Sequence, residues 1–511
     1  MFSVTLQTLG CKLNQLESES LAGAFHRAGF PLLPWDPQKE GPRPPAQKAP
    51  PGLFVVNTCT VTSKAEQKAR RIIRKVLKEH PHACVIVTGC YAQVEAAAVA
   101  ALDKDLVPGR LFVVPGSRKS SLLDLPAFLA EADKAGLSLP ELLARWTAAE
   151  RPLFRGEPGG SSLACPPSGG PDEALEKSPS GAGAFRFSPE QFSFHSRAFL
   201  KIQDGCDKRC SYCRVSLARG PGVSLGAEQA LFRLRALEAA GYGEAVLTGV
   251  NIGRYRDGLR GLGGLLEYLL EGTEAIALRL SSIEPEGLAE EFFQALGNPR
   301  LRPHFHLSVQ SGSRRILERM GRSYSPEEVE ELAARLRSIK ADPFLACDII
   351  TGFPGEGAGD FEKTFDFCRR LDFAWIHPFP YSPRPGTAAY TFTGAVPAET
   401  AVSRVEALLD LARQGRRNYL GRWIGKTVEA LVEGKDRPGD PPSALSDNYL
   451  RLLISPPGSV LPRGSKIRCR ITAPGGAAPL SEQELPGKKF PSRIPRFDGW
   501  AERLFPDPRP S

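Results

Sequence analysis

The sequence predicts an α/β protein in three parts: an N-terminal parallel α/β domain, a partial (β/α)6 barrel, and a small C-terminal β-barrel. Two observations support this prediction. Short apolar runs of strand length alternate with longer segments of helical periodicity, which is typical of parallel sheets with right-handed crossovers. Beyond residue 420 the pattern changes to short strands separated by turn residues, which is typical of a small β-barrel.

The first part covers residues 1–150 and alternates strands with helices. Its strand candidates are residues 4–6, 53–56 and 84–87, and its helix candidates are residues 16–28, 63–80 and a segment from Ala92. Two segments interrupt this order: residues 37–52 hold six Pro, and residues 151–184 hold seven Gly, six Pro and five Ser. Neither composition can bury a core. We therefore expect a surface loop and, over residues 151–190, a flexible linker.

The second part, residues 191–420, repeats the strand–helix alternation six times. Its strand candidates are residues 199–203, 245–248, 277–281, 305–309, 346–350 and 375–380, with helices such as 227–240 and 326–340 between them. A site is expected at the carboxyl ends of such strands. The third part, residues 421–474, offers strands at 426–432, 449–454 and 466–472. We expect the Pro-rich residues 475–511 to form a poorly ordered tail.

Composition narrows the class of protein. The 511 residues are 41% hydrophobic and 24% charged, with no signal-peptide pattern and no apolar run of membrane-spanning length, so we expect a cytoplasmic protein without a membrane partner. Eleven Cys scattered over so long a chain do not resemble a disulfide scaffold, and in a reducing compartment they indicate metal binding or catalysis. The net charge of +9 is compatible with a nucleic-acid partner, although a solvated basic surface is the commoner explanation.

Three Cys share one topological position in the first part. Cys11, Cys59 and Cys90 each come shortly after a predicted strand, whereas Cys84 lies within a strand and is interpreted as structural. The carboxyl ends of parallel strands meet at one edge of a sheet. Three thiols at that edge can converge on one metal centre. The alternative is three unrelated buried Cys, which are common in protein cores.

A second set, Cys206, Cys210 and Cys213, lies in eight residues directly after the first strand of the barrel series. Thiolates at this compact spacing suit zinc or an iron–sulfur cluster. A structural zinc site normally needs a fourth protein ligand, and no Cys or His follows nearby, although His195 upstream remains possible. Three ligands on a four-iron cluster would leave one iron open for a substrate.

These residues resemble the radical S-adenosylmethionine methylthiotransferases. The Cys206–Cys210–Cys213 loop is similar to the cluster motif of radical S-adenosylmethionine enzymes, and Cys11, Cys59 and Cys90 are similar to the auxiliary-cluster ligands of the methylthiotransferases. The resemblance extends from Thr8 to about Thr472 outside the two low-complexity insertions. Further matching motifs are residues 201–206, 247–251, 280–285, 306–312, 348–356 and 380–387. One departure is Arg214-Val215-Ser216, where the family usually has apolar residues and a Pro, which puts substrate fit or cluster exposure in doubt.

Three branches of this family act on different targets: isopentenyladenosine in tRNA, threonylcarbamoyladenosine in tRNA, and an aspartate of a ribosomal protein. Residues 10–15, 57–62 and 89–93 resemble the threonylcarbamoyladenosine branch most. The other two branches remain alternatives within catalysis. A non-catalytic iron–sulfur RNA-binding protein and a zinc protein with two structural sites are alternatives of other classes.

The resemblance implies two [4Fe-4S] clusters and S-adenosylmethionine as cofactors. The cluster on Cys206, Cys210 and Cys213 would bind and reduce the cofactor to give a radical that removes hydrogen from the adenine ring. The second cluster would supply sulfur, and a second cofactor molecule the methyl group. Methylthiolation at an unactivated C–H bond is beyond ordinary side-chain chemistry, which agrees with this need for cofactors. We also expect a reducing electron donor, such as a flavodoxin or a ferredoxin, and a monomeric protein.

Polar residues at the predicted strand ends are the candidates for binding S-adenosylmethionine. They are Thr248, Asn251, Ser281, Glu284, Ser308, Gln310 and Asp348, together with Tyr212 in the cluster loop. Glu284 could meet the cofactor's amino group or ribose hydroxyls, and Tyr212 could lie against its adenine. Each of these residues, taken alone, is more often a strand-end polar group that is satisfied by its own neighbours.

Transfer RNA is the expected macromolecular partner, and two regions could contact it. Residues 421–472 carry nine Lys or Arg against five Asp or Glu, and this unit resembles the small RNA-binding (TRAM-like) barrel of the family. The second region is the predicted helix over residues 63–80, which carries Lys68, Arg70, Arg71, Arg74, Lys75 and Lys78. A solvated helix face explains this second region equally well.

Overall fold

The computed structural model describes residues 2–35, 51–104, 108–132, 136–149, 183–189, 192, 195–434, 440–455, 461–474 and 498–504. The chain divides into two compact units. The first contains Met1–Ser193, Asp204–Lys208 and Cys213–Val223, and the second contains Phe194–Gln203, Arg209–Tyr212 and Ser224–Ser511. No helix in the described ranges is long and apolar enough to cross a membrane.

The first unit is built on a parallel sheet of four strands in the order β1-β2-β3-β4. The strands are β1 (Ser3–Thr8), β2 (Pro51–Thr58), β3 (Cys84–Gly89) and β4 (Leu111–Val113). The helices are α1 (Lys12–Arg27), α2 (Ser63–Glu79), α3 (Cys90–Val94), α4 (Ala96–Ala100), α5 (Leu125–Ala132), α6 (Leu139–Ala149) and α7 (Val215–Arg219). Apolar side chains of β2, β3 and α2 form a common core, so these central strands and the helix between them hold the unit together.

The second unit contains six parallel strands with helices between them. Its elements begin with β5 (Ala198–Lys201), two-residue strands β6 (Gln203–Asp204) and β7 (Val223–Ser224) at the boundary of the units, β8 (Glu244–Thr248) and β9 (Ala277–Leu280). They continue with β10 (His304–Gln310), β11 (Phe344–Thr351) and β12 (Trp375–Pro380). The helices are α8 (Ala227–Ala239), α9 (Leu262–Glu271), α10 (Glu290–Leu296), α11 (Arg314–Arg319), α12 (Pro326–Ile339), α13 (Ala358–Arg370) and α14 (Ala398–Trp423).

These strands form two parallel sheets, β5-β8-β9 and β10-β11-β12. Isolated parallel bridges, Leu278 with Leu301 and Ile283 with Leu307, join the two sheets. Six parallel strands thus follow one another in chain order. The predicted α/β class with a partial (β/α)6 barrel is confirmed.

A closed antiparallel-rich barrel of five strands ends the second unit, in the order β13-β14-β15-β17-β16. The strands are β13 (Thr427–Gly434), β14 (Ser443–Ser446), β15 (Arg451–Ser455), β16 (Lys466–Pro474) and β17 (Gly499–Leu504). The prediction that everything after Pro474 is a poorly ordered tail is wrong for Gly499–Leu504. This segment pairs with β15 and β16 and closes the barrel, which removes the exposed edges that four strands would leave.

A buried ionic network attaches this barrel to Glu244, the first residue of β8, to Arg279 of β9, and to Arg302, which precedes β10. The Glu244 carboxylate accepts hydrogen bonds from Arg279 Nε at 2.7 Å, Arg279 Nη2 at 2.9 Å and Arg302 Nε at 3.2 Å. Arg302 also pairs with Glu429 of β13, and Arg279 donates to the carbonyl oxygen of Asp447 at 3.1 Å. Burial opposes ionisation of Glu244, but the surrounding arginines lower its pKa to about 2. The C-terminal barrel therefore lies at the end of these strands opposite to their carboxyl ends.

Residues 37–50 of the predicted surface loop and residues 151–182 of the predicted linker lie outside the described residues. Pro51 and Gly52, which the prediction assigned to the loop, instead begin β2. The proposed domain boundaries stay predictions.

Candidate functional site

Cys11, Cys59 and Cys90 all follow the carboxyl ends of strands in the first unit. Thr8, Asn57 and Thr88 occupy one row across β1, β2 and β3, and the three Cys come two or three residues after this row. Cys59 and Cys90 are buried, whereas Cys11 is exposed. Burial, together with the neighbouring Cys11 and Cys90, raises the pKa of the Cys59 thiol to about 12. The three thiols therefore lie near one another at this sheet edge, as the strand pattern predicts.

Two glycines, each directly before a Cys, allow close packing of the backbone. Gly10 has a φ of 112°, and a Cβ there would lie 2.6 Å from the Cβ of Cys59. Gly205 has a φ of 70°, and a Cβ there would lie 1.8 Å from the carbonyl oxygen of Pro221. Both positions require glycine, because any side chain would be strained and would collide. The loops that carry Cys11 and Cys206 are thereby fixed.

Arg219, which the sequence reading missed, lies buried among polar groups of the first unit. Its guanidinium donates to Asp204 Oδ1 at 3.0 Å, to Glu17 Oε1 at 3.2 Å and to Asn14 Oδ1 at 3.0 Å. Burial alone would lower the pKa of Arg219, but Asp204, Cys90, Glu17 and Cys11 raise it. A permanent positive charge therefore stands beside the thiols of Cys11 and Cys90.

Asn14 also fixes the loops that carry two of the Cys. Its side-chain amide donates to the carbonyl oxygens of Leu9 at 2.7 Å and Thr58 at 3.0 Å. These two residues precede Cys11 and Cys59 by two residues and one. The position of the first two Cys thus depends on a side chain in the first turn of α1.

Arg214, the departure from the family pattern, forms ion pairs within the first unit. Its Nη2 lies 2.7 Å from Glu95 Oε1, and its Nη1 lies 3.5 Å from Glu66 Oε1. Glu66 in turn accepts a hydrogen bond from Thr60, the residue after Cys59. Arg214 therefore connects the segment after Cys213 to the segments after Cys59 and Cys90.

The loop with the second Cys set divides between the two units. Cys206 and Cys213 group with the first unit, and Cys210 groups with the second. The Cys206 amide donates to the carbonyl oxygen of Gly220 at 3.0 Å, and the Val215 amide donates to Cys213 Sγ at 3.4 Å. All three Cys residues are partly exposed.

Within the described residues, no three His, Cys, Asp or Glu side chains are arranged to hold a single metal ion. A zinc site would need such a convergence of ligands on one atom. In a [4Fe-4S] cluster each thiolate binds a different iron, so the ligand sulfurs stand further apart. The donor chemistry of each set, three thiols, suits an iron–sulfur cluster.

Arg322 joins two of the predicted cofactor-binding residues in the second unit. Its Nη2 donates to the Tyr212 hydroxyl at 2.7 Å, and its Nη1 pairs with Glu284. Burial alone would lower the pKa of Arg322, but Tyr212, Tyr324, Glu284 and Cys210 raise it. Glu284 and Tyr212 are thus held by a buried cation that the sequence reading missed.

Asn251 and Ser281 have buried polar atoms without a partner. Within the described residues, neither the Nδ2 nor the Oδ1 of Asn251 makes a hydrogen bond, and the same holds for Ser281 Oγ. Buried polar groups are nearly always satisfied, and each exception needs an explanation. Both residues follow strands of the barrel at its carboxyl end, where the prediction places a polar cofactor. The unpaired groups therefore fit a ligand such as S-adenosylmethionine.

The other predicted cofactor-binding residues lie on the same strands. Thr248 is buried at the end of β8, and Gln310 is buried at the end of β10 with a φ of 69°. Asp348 lies beside His306, with 3.0 Å between Oδ1 and Nε2. Ser308 is half-buried, and its carbonyl oxygen accepts a hydrogen bond from Tyr324 at 2.7 Å. Their roles in binding stay predictions.

Two family models match this chain. Residues 200–368 match the radical SAM superfamily, and residues 3–109 match the uncharacterized protein family UPF0004. The two regions hold the second and the first Cys set, respectively.

Several curated proteins are similar over most of their length. Threonylcarbamoyladenosine tRNA methylthiotransferase MtaB of Treponema pallidum is 41% identical, covering 92% of this chain and 98% of that protein. The protein of the same name from Thermotoga maritima is 32% identical, covering 85% and 87%. A tRNA-2-methylthio-N(6)-dimethylallyladenosine synthase of Cereibacter sphaeroides is 30% identical, covering 92% and 96%. Among solved structures, the radical S-adenosylmethionine methyltransferase TsrM from Kitasatospora setae has a TM-score of 0.48 at 17% identity, covering 76% of this chain and 74% of that one.

Proposed function

This chain belongs to the radical S-adenosylmethionine methylthiotransferase family, and we propose that it converts N6-threonylcarbamoyladenosine next to the tRNA anticodon to its 2-methylthio derivative. Five curated relatives, between 28% and 41% identical, are named for this activity. The observation that carries the proposal is the placement of Cys11, Cys59 and Cys90 at one sheet edge, in a chain that also has the Cys206–Cys210–Cys213 loop.

We assign one [4Fe-4S] cluster to each Cys set. Three thiolates on a four-iron cluster leave one iron without a protein ligand. When bound, the clusters and S-adenosylmethionine supply the radical and sulfur-transfer chemistry that no side chain can perform at a C–H bond. Arg219 compensates the negative charge of the thiolates in the first unit, since it lies beside Cys11 and Cys90.

The cofactor is assigned to the carboxyl end of the strands of the second unit. The unpaired amide of Asn251 and the unpaired hydroxyl of Ser281 would exchange hydrogen bonds with its polar groups. Arg322 would hold Glu284 and Tyr212 in position beside it. Thr248, Ser308, Gln310 and Asp348 are the remaining candidates.

The remaining partners follow from the reaction. The radical chemistry needs a one-electron reductant, for which a flavodoxin or a ferredoxin is the proposed donor. Since the substrate is tRNA, the chain is assigned to the cytoplasm, and a monomer contains both Cys sets. The positively charged C-terminal barrel is proposed to contact the RNA.

Nucleoside analysis tests the reaction and its substrate together. The gene is deleted in the native host, and nucleosides from total tRNA are examined by mass spectrometry. We expect the 2-methylthio nucleoside to disappear and threonylcarbamoyladenosine to accumulate, and the intact gene to restore the product. Genes carrying Cys59→Ala or Cys210→Ala should not restore it. Cys84→Ala is the matched control, because Cys84 is buried in β3 of the same sheet and has no assigned ligand role.

Two results would contradict the proposal. An unchanged nucleoside profile in a host that makes this nucleoside would exclude the reaction. If the deletion strain instead lacks the methylthio group on isopentenyladenosine, the chain would be assigned to the branch of the Cereibacter relative. Iron analysis tests the two clusters separately: about eight irons per chain are expected, and about four in a triple Cys11, Cys59 and Cys90 to Ala variant.

A further inference from the structure

The outward face of α2 carries a row of cations. Lys64, Lys68, Arg71, Lys75 and Lys78 recur every three or four residues, which places them on one face of the helix. Arg74 lies beside this row and is also exposed. We call these six residues the α2 basic row. At 1.5 Å per residue, the row from Lys64 to Lys78 is about 21 Å long.

Arg70 does not belong to this row, although its sequence position suggests that it does. Its Nη1 donates to the Tyr91 hydroxyl at 2.9 Å and lies 4.0 Å from Glu66. Arg70 therefore serves the contact between α2 and α3. The opposite face of α2 buries Ala69, Ile72, Ile73, Val76 and Leu77 against the sheet.

Most cations of the α2 basic row have no anionic partner. In the part of the chain that the structure describes, Lys68, Arg71, Arg74 and Lys78 make no ion pair, and Lys75 lies 3.5 Å from Glu79. Exposed arginines on helices of the second unit are commonly paired, as Arg314 with Glu327, Arg335 with Glu290, and Arg370 with Glu330. Since like charges three or four residues apart destabilise a helix, a polyanion bound along the α2 basic row would relieve this repulsion.

The α2 basic row begins at the candidate cluster edge. The helix starts four residues after Cys59, where Thr62 caps it by accepting a hydrogen bond from the Ala65 amide. Between them lies Val61, which is 62% exposed. An RNA whose target base reaches this edge would bring its flanking phosphates along α2.

We propose that the α2 basic row binds the phosphate backbone of the substrate RNA on one side of the modified nucleotide. This inference rests on the proposed function and adds an RNA-binding surface on the N-terminal unit, separate from the C-terminal barrel. A membrane surface does not fit, because the apolar residues of α2 are buried against the sheet and unavailable to lipid. Contacts of this kind to phosphates contribute affinity rather than sequence specificity.

The test measures RNA affinity against salt concentration. Full-length protein binds an anticodon stem-loop RNA containing threonylcarbamoyladenosine, followed by fluorescence anisotropy between about 50 and about 200 mM salt. The variant carries Lys68→Gln, Arg71→Gln and Lys78→Gln. The control variant carries Lys104→Gln, Lys363→Gln and Arg417→Gln, three exposed cations on other elements that lose the same charge.

The plot of log affinity against log salt has a negative slope, and each lost phosphate contact makes this slope shallower by roughly 0.7 to 0.9. For three contacts the slope becomes shallower by about 2.1 to 2.7. Over a fourfold salt range the wild type should therefore lose about 20- to 40-fold more affinity than the α2 variant. The control variant should keep the wild-type slope. KM for RNA should rise in the α2 variant, while cleavage of S-adenosylmethionine without RNA and iron content stay unchanged.

Equal slopes for the α2 variant and the control variant would overturn the inference. That result would leave the proposed function standing, provided the wild type still methylthiolates the RNA. Wild-type protein that binds this RNA but never modifies it would count against the proposed function instead. Loss of iron or of cofactor cleavage in the α2 variant would show that the row supports the fold, which also contradicts the inference.

Discussion

Replacing Asn251 by Ala should stabilise the cofactor-free protein and weaken cofactor binding. Asn251 is 4% exposed, and both polar atoms of its side chain lack partners among the described residues. A buried polar group without a hydrogen bond costs about 1–3 kcal/mol. The backbone amide of residue 251 donates to Gln203 Oε1 at 2.7 Å, a bond that Ala retains. The substitution therefore removes only the unsatisfied groups.

The substitution should act in opposite directions on the stability of the cofactor-free protein and on its affinity for S-adenosylmethionine. Removing the amide recovers about 1–3 kcal/mol of desolvation cost and forfeits about 1 kcal/mol of packing, so the cofactor-free protein should be as stable as wild type or up to about 2 kcal/mol more stable. If the cofactor satisfies both atoms, the variant loses two hydrogen bonds of about 0.5–1.5 kcal/mol each. The Kd for S-adenosylmethionine should then rise about 5- to 150-fold.

The assay combines thermal unfolding without cofactor and calorimetric binding of S-adenosylmethionine to anaerobically reconstituted protein. Asn448→Ala is the control, because Asn448 is also buried and has an Nδ2 that is unpaired within the described ranges, but its Oδ1 accepts a hydrogen bond from Ser446 Oγ in the C-terminal barrel. The control should lower stability and leave the Kd unchanged. A lower Tm for Asn251→Ala together with a wild-type Kd would refute the assignment of Asn251 to the cofactor.

Three further substitutions have defined outcomes. Glu244→Gln removes the carboxylate that the buried Arg279 and Arg302 share and should cost about 3–5 kcal/mol in chemical unfolding, whereas Glu327→Gln, in an exposed pair, should cost less than about 1 kcal/mol. Because the folded-state pKa of Glu244 is lowered to about 2, its contribution to stability should be lost as pH falls from about 4.5 towards 2, and Glu244→Gln should flatten this part of the acid-unfolding curve. Arg214→Met should lower the Tm by the equivalent of about 1–3 kcal/mol, since Glu66 keeps Thr60 and Arg70 as partners. Arg219→Gln should reduce the iron retained per chain, measured after anaerobic reconstitution and gel filtration, and full iron content would show that its charge is dispensable.

The parallel strands could be predicted well from the sequence because each buried strand is a continuous local run of apolar residues. Runs such as Val85, Ile86 and Val87 are buried on both faces, which gives continuous apolar segments of strand length. The same reasoning located the three Cys of the first unit, since each follows such a run. Local pattern and topology together were enough to predict their common edge.

Two strands of the C-terminal barrel were missed for the same physical reason. Strand β14 is Ser443–Ser446, four buried residues with Ser at both ends and no β-branched or aromatic residue. Strand β17 is separated from β16 by residues 475–498 and pairs in parallel with β15 and antiparallel with β16. Neither strand has a strong local pattern. Their conformation is set by pairing with partners that are distant in sequence.

The buried arginines were missed because their partners are equally distant. Arg219 pairs with Glu17, 202 residues away, and Arg322 donates to Tyr212, 110 residues away. A single Arg in a sequence is most simply explained as a surface cation. Only the folded chain reveals which charges are enclosed.

Both arginines lie beside predicted cluster ligands, and this placement has one physical explanation. Arg219 is close to Cys11 and Cys90, and Arg322 is close to Cys210. Enclosing a guanidinium is costly unless anions surround it, and enclosing thiolates is costly unless cations do. The carboxylates of Glu17, Asp204 and Glu284 already compensate these arginines in the chain without clusters. These arginines and carboxylates give the Cys sets a charged rather than an apolar setting, which the proposed clusters would need because buried thiolates require nearby cations.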